Sequence, residues 1–237
     1  MHYLFIVGCG HSGTSLMLSY FAATEEAITI KHETSFLLKH SLHAFKDACL
    51  KNYGETNRLI VEKTPRHVYK LPEIRQDSEC SAIVMLRNPV DTVASLCKRG
   101  ISLNNAIHRY ASDNAAWLQF VNDQSLILVK YEDLVAHEYH TLKYLSKRVG
   151  IDLTGSSQKR VDNNEMFFGC SDAKETDGKG EQNHLLLRNW QVRQPLTNQN
   201  GRWRERLNAE ELNKIQTNLA PLIEALGYQE TLSYTLY

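Results

Sequence analysis

No stretch of this sequence approaches the roughly 18 consecutive apolar residues that a membrane span needs. The apolar opening, Tyr3-Leu4-Phe5-Ile6-Val7, is short and follows no basic segment, so neither a span nor a secretory leader is expected. Cysteine is scarce. Cys9, Cys49, Cys80, Cys97 and Cys170 are odd in number, scattered and without a C-x-x-C pair, which excludes a disulfide scaffold and fits a soluble protein of the reducing cytoplasm. Net charge is missing as well. The 27 Lys and Arg against 27 Asp and Glu rule out a nucleic-acid binder that works by global charge, although a basic pocket can hide in a neutral total. Metal-ligand clusters are absent. His40-x-x-His43 and His137-x-x-His140 each set two imidazoles one turn apart, with no cysteine or carboxylate to complete a site, so no metal is expected.

What remains is an ordinary globular composition, 42% hydrophobic and 23% charged over 237 residues, enough for one domain spanning 1–237. Tyr3–Val7, Arg58–Val61, Ala82–Leu86 and Leu126–Lys130 are continuous apolar runs, as strands buried on both faces of a parallel sheet read. Helical patterns lie between them: Ser15–Ala23, Phe36–Leu50, Pro89 to about Arg99, Leu103–Val121, Glu138–Val149 ending at Gly150, and Ala209–Leu226 after Asn208 as N-cap. The alternation predicts an α/β fold with a central parallel sheet and helices on both faces. Residues 154–182 are the exception. Ser171–Gln182 has almost nothing to bury and reads as a mobile polar insertion, either a lid or a passive loop.

The first strand runs into Gly8-Cys9-Gly10-His11-Ser12-Gly13-Thr14-Ser15 and then a helix. Glycines let backbone wrap a ligand closely, and a helix N-terminus aims N–H groups and its dipole at negative charge, so this loop is an anion site. Gly8 and Gly13 keep the Walker A spacing, but Thr14 stands where that motif has lysine. An ATP-dependent kinase is therefore the weaker reading of the loop. Cys9 has no base spaced to activate it and reads as packing. At the end of the third strand stands Arg87, followed by Ser95 eight residues on and Arg99 one helical turn later. An arginine fork, a hydroxyl and a second arginine are chemistry for a phosphate dianion.

These blocks resemble those of PAPS-dependent sulfotransferases, in the branch that includes tyrosylprotein and Golgi carbohydrate enzymes. The loop GCGHSGTSLM is similar to that family's 5′-phosphosulfate loop, and Arg87…Ser95 to its 3′-phosphate motif. Glu62-Lys63-Thr64-Pro65, Lys130-Tyr131-Glu132-Asp133-Leu134 and Gly201-Arg202-Trp203 follow in the family's order. The resemblance implies a P-loop-like three-layer fold, PAPS as sulfuryl donor, and an acceptor that is a small molecule, glycan or protein. It implies donor contacts from Gly10, His11, Ser12, Gly13, Thr14 and Ser15, from Arg87, Ser95 and Arg99, and from Tyr131 and Arg202. One departure stands out, since the family usually has arginine or lysine where this chain has His11. Either His11 replaces that cation in a pH-dependent way, or Lys63 takes the role.

An acceptor hydroxyl needs a base. Glu33, in Lys31-His32-Glu33-Thr34, matches the catalytic carboxylate of the tyrosylprotein branch, with His32 as alternative and a salt bridge to Lys31 or Lys39 as the competing structural account. The catalytic set is then Glu33 with Lys63 and His11, and Glu62 is placed to orient Lys63. A non-catalytic nucleotide-binding protein is the remaining alternative. Tyr110, Trp117 and Phe120 fit either the core or an acceptor pocket.

Overall fold

The computed structural model of the chain describes residues 1–162, 172–178 and 180–233. Its elements are β1 (Tyr3–Gly8), α1 (Thr14–Ala22), β2 (Ala27–Thr29), α2 (Leu42–Tyr53), β3 (Leu59–Lys63), α3 (Leu71–Ile74), β4 (Cys80–Leu86), α4 (Pro89–Lys98) and α5 (Leu103–Leu118). They continue through β5 (Leu126–Lys130), α6 (Tyr131–Ala136), α7 (Glu138–Val149), α8 (Ser156–Asp162), α9 (Glu181–Val192) and α10 (Ala209–Ala225). The five strands form one parallel sheet in the order β2-β3-β1-β4-β5.

Successive side chains of a strand point to opposite faces, and β1 divides accordingly. Tyr3, Phe5 and Val7 pack with Phe45 of α2, Val90 and Val93 of α4, Tyr110 and Trp117 of α5, and Ile215 and Leu219 of α10. Leu4 and Ile6 pack with Met17, Leu18 and Phe21 of α1, Leu134 of α6 and Leu142 and Leu145 of α7. Two helical layers thus cover one sheet, the P-loop-like arrangement expected. Every residue of β1 and of β3 is buried, which is why both read as unbroken apolar runs up to their polar ends.

Local signals behave as their chemistry requires. Asn88 caps α4 by accepting from the amides of Val90 and Asp91, with Pro89 in the first turn. Asn208 and Glu211 form a reciprocal capping box on α10. Several expectations need correction. To the four expected strands the structure adds the edge strand β2, too short at three residues to announce itself. The expected helix Phe36–Leu50 breaks in two: Phe36–Leu38 is a 3-10 turn, and α2 begins only after Ser41, whose hydroxyl caps the amide of Ala44. Part of the expected polar insertion is the helix α8, where Arg160 is buried and donates to the carbonyls of Val192 and Gln194. Residues 172–178 carry no regular structure, and the rest of the insertion up to Gly180 lies outside the described residues. Tyr110 and Trp117 are core, each 1% exposed, and Phe120 packs half-buried against that core.

Gly8 fixes how β1 turns into its loop. Its φ is +132°, and a Cβ there would lie 2.4 Å from the carbonyl oxygen of Met85. Gly8→Ala is expected to destabilise the fold by about 3 kcal/mol, combining strain and overlap with backbone. Gly150→Ala, in the left-handed region at φ 77° and ψ 16° with open space around it, is expected to cost only about 1 kcal/mol. Thermal unfolding of the two variants checks the difference, and equal losses would contradict this account of the turn.

Candidate active site

The loop between β1 and α1 is held from within and from outside. Ser12 donates to the Cys9 carbonyl through its hydroxyl at 2.6 Å and its amide at 3.2 Å. His11 takes a left-handed conformation, φ 70°, a strained setting for a residue with a Cβ. A Cβ on Gly10 would overlap the Arg109 guanidinium at 2.6 Å, and one on Gly13 the Tyr131 ring at 2.8 Å. The loop is therefore wrapped by side chains as closely as glycine allows. Thr14 and Ser15 open the first turn of α1, whose N-terminus faces the loop. Burial holds the Cys9 thiol well above its ordinary pKa, as packing and not nucleophilic chemistry requires.

Beside the loop, β3 ends in two buried charges. Glu62 is 1% exposed and accepts from the hydroxyls of Thr34 (2.9 Å) and Thr64 (2.5 Å), while its other oxygen meets His67 Nδ1 at 2.9 Å. His67 Nε2 accepts from the Leu37 amide, so Nδ1 carries the proton of the neutral ring and donates it to Glu62. Glu62 thus ties down the segment that follows Glu33. It is not a surface acid. Lys63 is wholly buried and reaches Glu33 Oε1 at 2.5 Å. Arg188 of α9 bonds the same oxygen and also donates to Ser15 Oγ, from Nη2 at 2.9 Å. Burial pushes the Lys63 ammonium down to about 7, with Arg188 adding to that and Glu33 opposing it. For Glu33 burial acts upward, but Lys63 and Arg188 outweigh it and hold the carboxyl at about 2. The structure pairs Glu33 with these two cations and not with Lys31 or Lys39.

At the end of β4, Arg87 donates to the carbonyls of His11 (3.3 Å) and Gln199 (2.9 Å), and its guanidinium lies 4.4 Å from the centroid of the Tyr131 ring. Ser95 Oγ is 3.1 Å from His11 Nδ1. Arg99 donates to the Gly178 carbonyl at 3.3 Å. Burial, then Arg99, His184, Arg109 and Arg188, lower the His11 pKa to about 3. His11 is accordingly neutral at physiological pH. Burial first, and the surrounding guanidiniums second, disfavour the charged imidazole, which favours Lys63 over His11 as the cation beside the loop. Arg202 is exposed at the start of a 3-10 turn whose neighbours Gly201 and Trp203 donate their amides to Asp91 of α4. Its charge acts on Tyr131 and Arg206.

His11, Ser15, Glu33, Lys63, Arg87, Ser95 and Tyr131 are therefore linked by contacts beyond the carboxyl ends of β1, β3, β4 and β5, where open α/β sheets bind ligands. Arg202 stands exposed on its own turn, and among the described residues no contact brings His32 to the group. Lys63, Arg87, Arg99, Arg109 and Arg188 surround the loop of a chain whose net charge is zero. Sequence reasoning missed Arg109, His184, Arg188 and Asp91. The first three stand outside any motif, and Asp91 reads as an ordinary acid in a helix's first turn. Among the described residues no group of His, Cys, Asp and Glu could hold a metal ion, and no helix is long and apolar enough to cross a membrane.

A model of the sulfotransferase family matches residues 24–155. The chain belongs to the sulfotransferase family. The matched region of this sulfotransferase includes Glu33, Lys63, Arg87, Ser95, Arg99 and Tyr131 and begins after the glycine loop. Among solved structures it is similar to a mouse sulfotransferase complexed with PAP, adenosine 3′,5′-bisphosphate, at TM-score 0.62 and 13% identity over 97% of this chain and 88% of that one. It is also similar to the sulfotransferase domain of the Synechococcus PCC 7002 olefin synthase, at TM-score 0.60 and 14% identity over 100% of this chain and 96% of that one. A sulfotransferase from Alicyclobacillus acidocaldarius gives TM-score 0.53 and 13% identity over 96% of each chain. At such identities the likeness is one of fold. No curated protein matches the chain.

The position of Lys63 sets a pH dependence. The amine is charged below about 7 and neutral above, so an anion that draws on it binds more weakly as the pH rises. Calorimetry with PAP is expected to show affinity falling from about pH 7 to about pH 9, and Lys63→Met is expected to bind more weakly and to flatten that dependence. A Lys63→Met profile as steep as that of the unaltered protein would contradict the role of this amine.

Proposed function

We propose that this sulfotransferase moves a sulfuryl group directly from PAPS to a hydroxyl or amine of its acceptor, with Glu33 as base. The observation that carries the reading is the meeting of the buried Lys63 with the solvent-accessible Glu33 beside the glycine loop, with Arg188 joining Glu33 to Ser15. The donor fits the residues present. Arg87 Nε is a buried donor with no hydrogen-bond partner among the described residues, and Ser95 in α4 and Arg99 at its C-cap complete a set suited to the 3′-phosphate. The backbone of residues 10–15 and the start of α1 suit the phosphosulfate.

In the proposed reaction the acceptor oxygen forms a bond to sulfur as the sulfur–oxygen bond to the 5′-phosphate breaks. Glu33 takes the acceptor's proton, and Lys63 neutralises charge growing on the departing phosphate oxygen. His11, neutral, can only donate or accept a hydrogen bond and complements Lys63 without replacing it. Tyr131 beneath Arg87, and the turn bearing Arg202 anchored by Asp91, close the nucleotide end. Membership of the tyrosylprotein-like branch is supported by the Glu33-Thr34 pair, and a reducing cytoplasmic setting by the free thiols of Cys9, Cys49, Cys80 and Cys97.

Calorimetry tests the donor assignment. PAP is expected to bind without a divalent cation and much more tightly than AMP, and Arg87→Ala to weaken it about tenfold or more, the value of a hydrogen bond to a charged group. Equal affinity for AMP, or a strict magnesium requirement, would contradict the assignment. With labelled PAPS and an acceptor found by screening, Glu33→Gln is expected to lower kcat by roughly 10²–10⁴-fold without weakening PAP binding. A near-normal kcat would remove Glu33 from the chemistry and leave His32 as base.

A further inference from the structure

Arg188 belongs to none of the sequence blocks, yet its guanidinium is bonded at two functional points. It donates to Ser15 Oγ, from Nε at 3.3 Å and Nη2 at 2.9 Å, and it bonds Glu33 Oε1. We propose that Arg188 is a donor-binding residue shared between the phosphosulfate loop and Glu33, and that donor binding unmasks the base by drawing this guanidinium off the carboxylate. The proposal rests on PAPS being the donor.

The crowding of one oxygen motivates it. Glu33 Oε1 accepts from both Lys63 and Arg188. A carboxylate neutralised twice over is a poor proton acceptor, whatever its position. The phosphosulfate end of the donor brings anionic oxygens to the loop that Ser15 helps to form, and these compete for the guanidinium directly. Arg188 is already within hydrogen-bond reach of that loop, so exchanging one anionic partner for the other requires little motion. The base then regains basicity only where a sulfuryl group is present to be transferred.

The remainder of α9 fits this role better than that of a solvated helix. Its C-terminal carbonyl at Val192 accepts from the buried Arg160, whose guanidinium lies 5.0 Å from the Tyr20 ring of α1. Leu187 and Val192 are buried. One turn before Arg188, the His184 ring lies parallel to that of His11, with centroids 6.4 Å apart. Just ahead of the helix, the Gly178 carbonyl accepts from Arg99. The helix and the residues leading to it thus meet the loop at His11 and Ser15, the base at Glu33 and the 3′-phosphate residues at Arg99. A surface arginine on an idle helix would share none of these partners.

The test is calorimetric titration of the full chain with PAPS, with PAP as reference, for the unaltered protein, Arg188→Ala, Arg188→Lys, Glu33→Gln and the double variant Arg188→Ala/Glu33→Gln. Arg188→Ala is expected to weaken PAPS at least about tenfold. Glu33→Gln is expected to strengthen PAPS about threefold or more, because the amide no longer competes as an anion, and much of that gain should vanish in the double variant. Arg188→Lys keeps the charge without the fork and should fall between, carrying the test if the alanine variant does not fold. PAPS affinity within about twofold of normal in Arg188→Ala, or effects of the two substitutions that simply add, would overturn the proposal. Failure of the unaltered protein to bind PAP or PAPS would instead overturn the donor assignment beneath it.

Discussion

A lysine with no solvent exposure ends the third strand, and accommodating its charge governs the site around it. A buried ammonium is costly unless it is paired and hydrogen-bonded. Glu33 supplies that pair, but it arrives on an irregular segment after an edge strand of only three residues. What keeps it there is the neighbouring Glu62, which fastens Thr34 and Thr64 through its carboxylate and, through His67, the amide of Leu37. Two adjacent residues of one strand thus divide the work. Lys63 attracts the base, and Glu62 secures the chain that bears it.

The same constraint explains why a neutral protein can hold an anion site. The loop's backbone provides donors without net charge, and the cations are recruited one at a time from β3, β4, α4, α5 and α9. Burial of these groups exacts the larger cost, and crowding them adds to it. His11 gives up its proton, Lys63 is brought close to doing so, and the Arg99 guanidinium is lowered by burial and by Arg188. Anionic ligand oxygens relieve that repulsion, so the arrangement is poised to favour ligands with charge at both ends.

The parts legible in the sequence were those fixed by contiguous residues. Four of the five strands, the glycine loop, the proline-led helix after Arg87 and the capped last helix all announce themselves locally. The position of Glu33 came through a resemblance, since nothing in Lys31-His32-Glu33-Thr34 alone says that the residue will meet Lys63, 30 positions away. Arg109, His184 and Arg188 were illegible because each acts through the tertiary fold, standing on helices whose own pattern only reports packing. The helix α8 was hidden for a similar reason: its sequence is polar, and the burial of Arg160 depends on carbonyls of a later helix and the residues just beyond it. The charge of His11 stays open in the sequence because a motif supplies a residue's neighbours along the chain and not the burial and guanidiniums that surround it.

The central claim is that two anion sites, the glycine loop and the Arg87–Ser95–Arg99 group, belong to one nucleotide. A crystal structure of the chain with PAP bound tests this most directly. The account predicts the 5′-phosphate against the amides of residues 10–15 near Lys63, and the 3′-phosphate in contact with Arg87, Ser95 and Arg99. A 3′-phosphate left in solvent, or a nucleotide bound away from the loop, would contradict it.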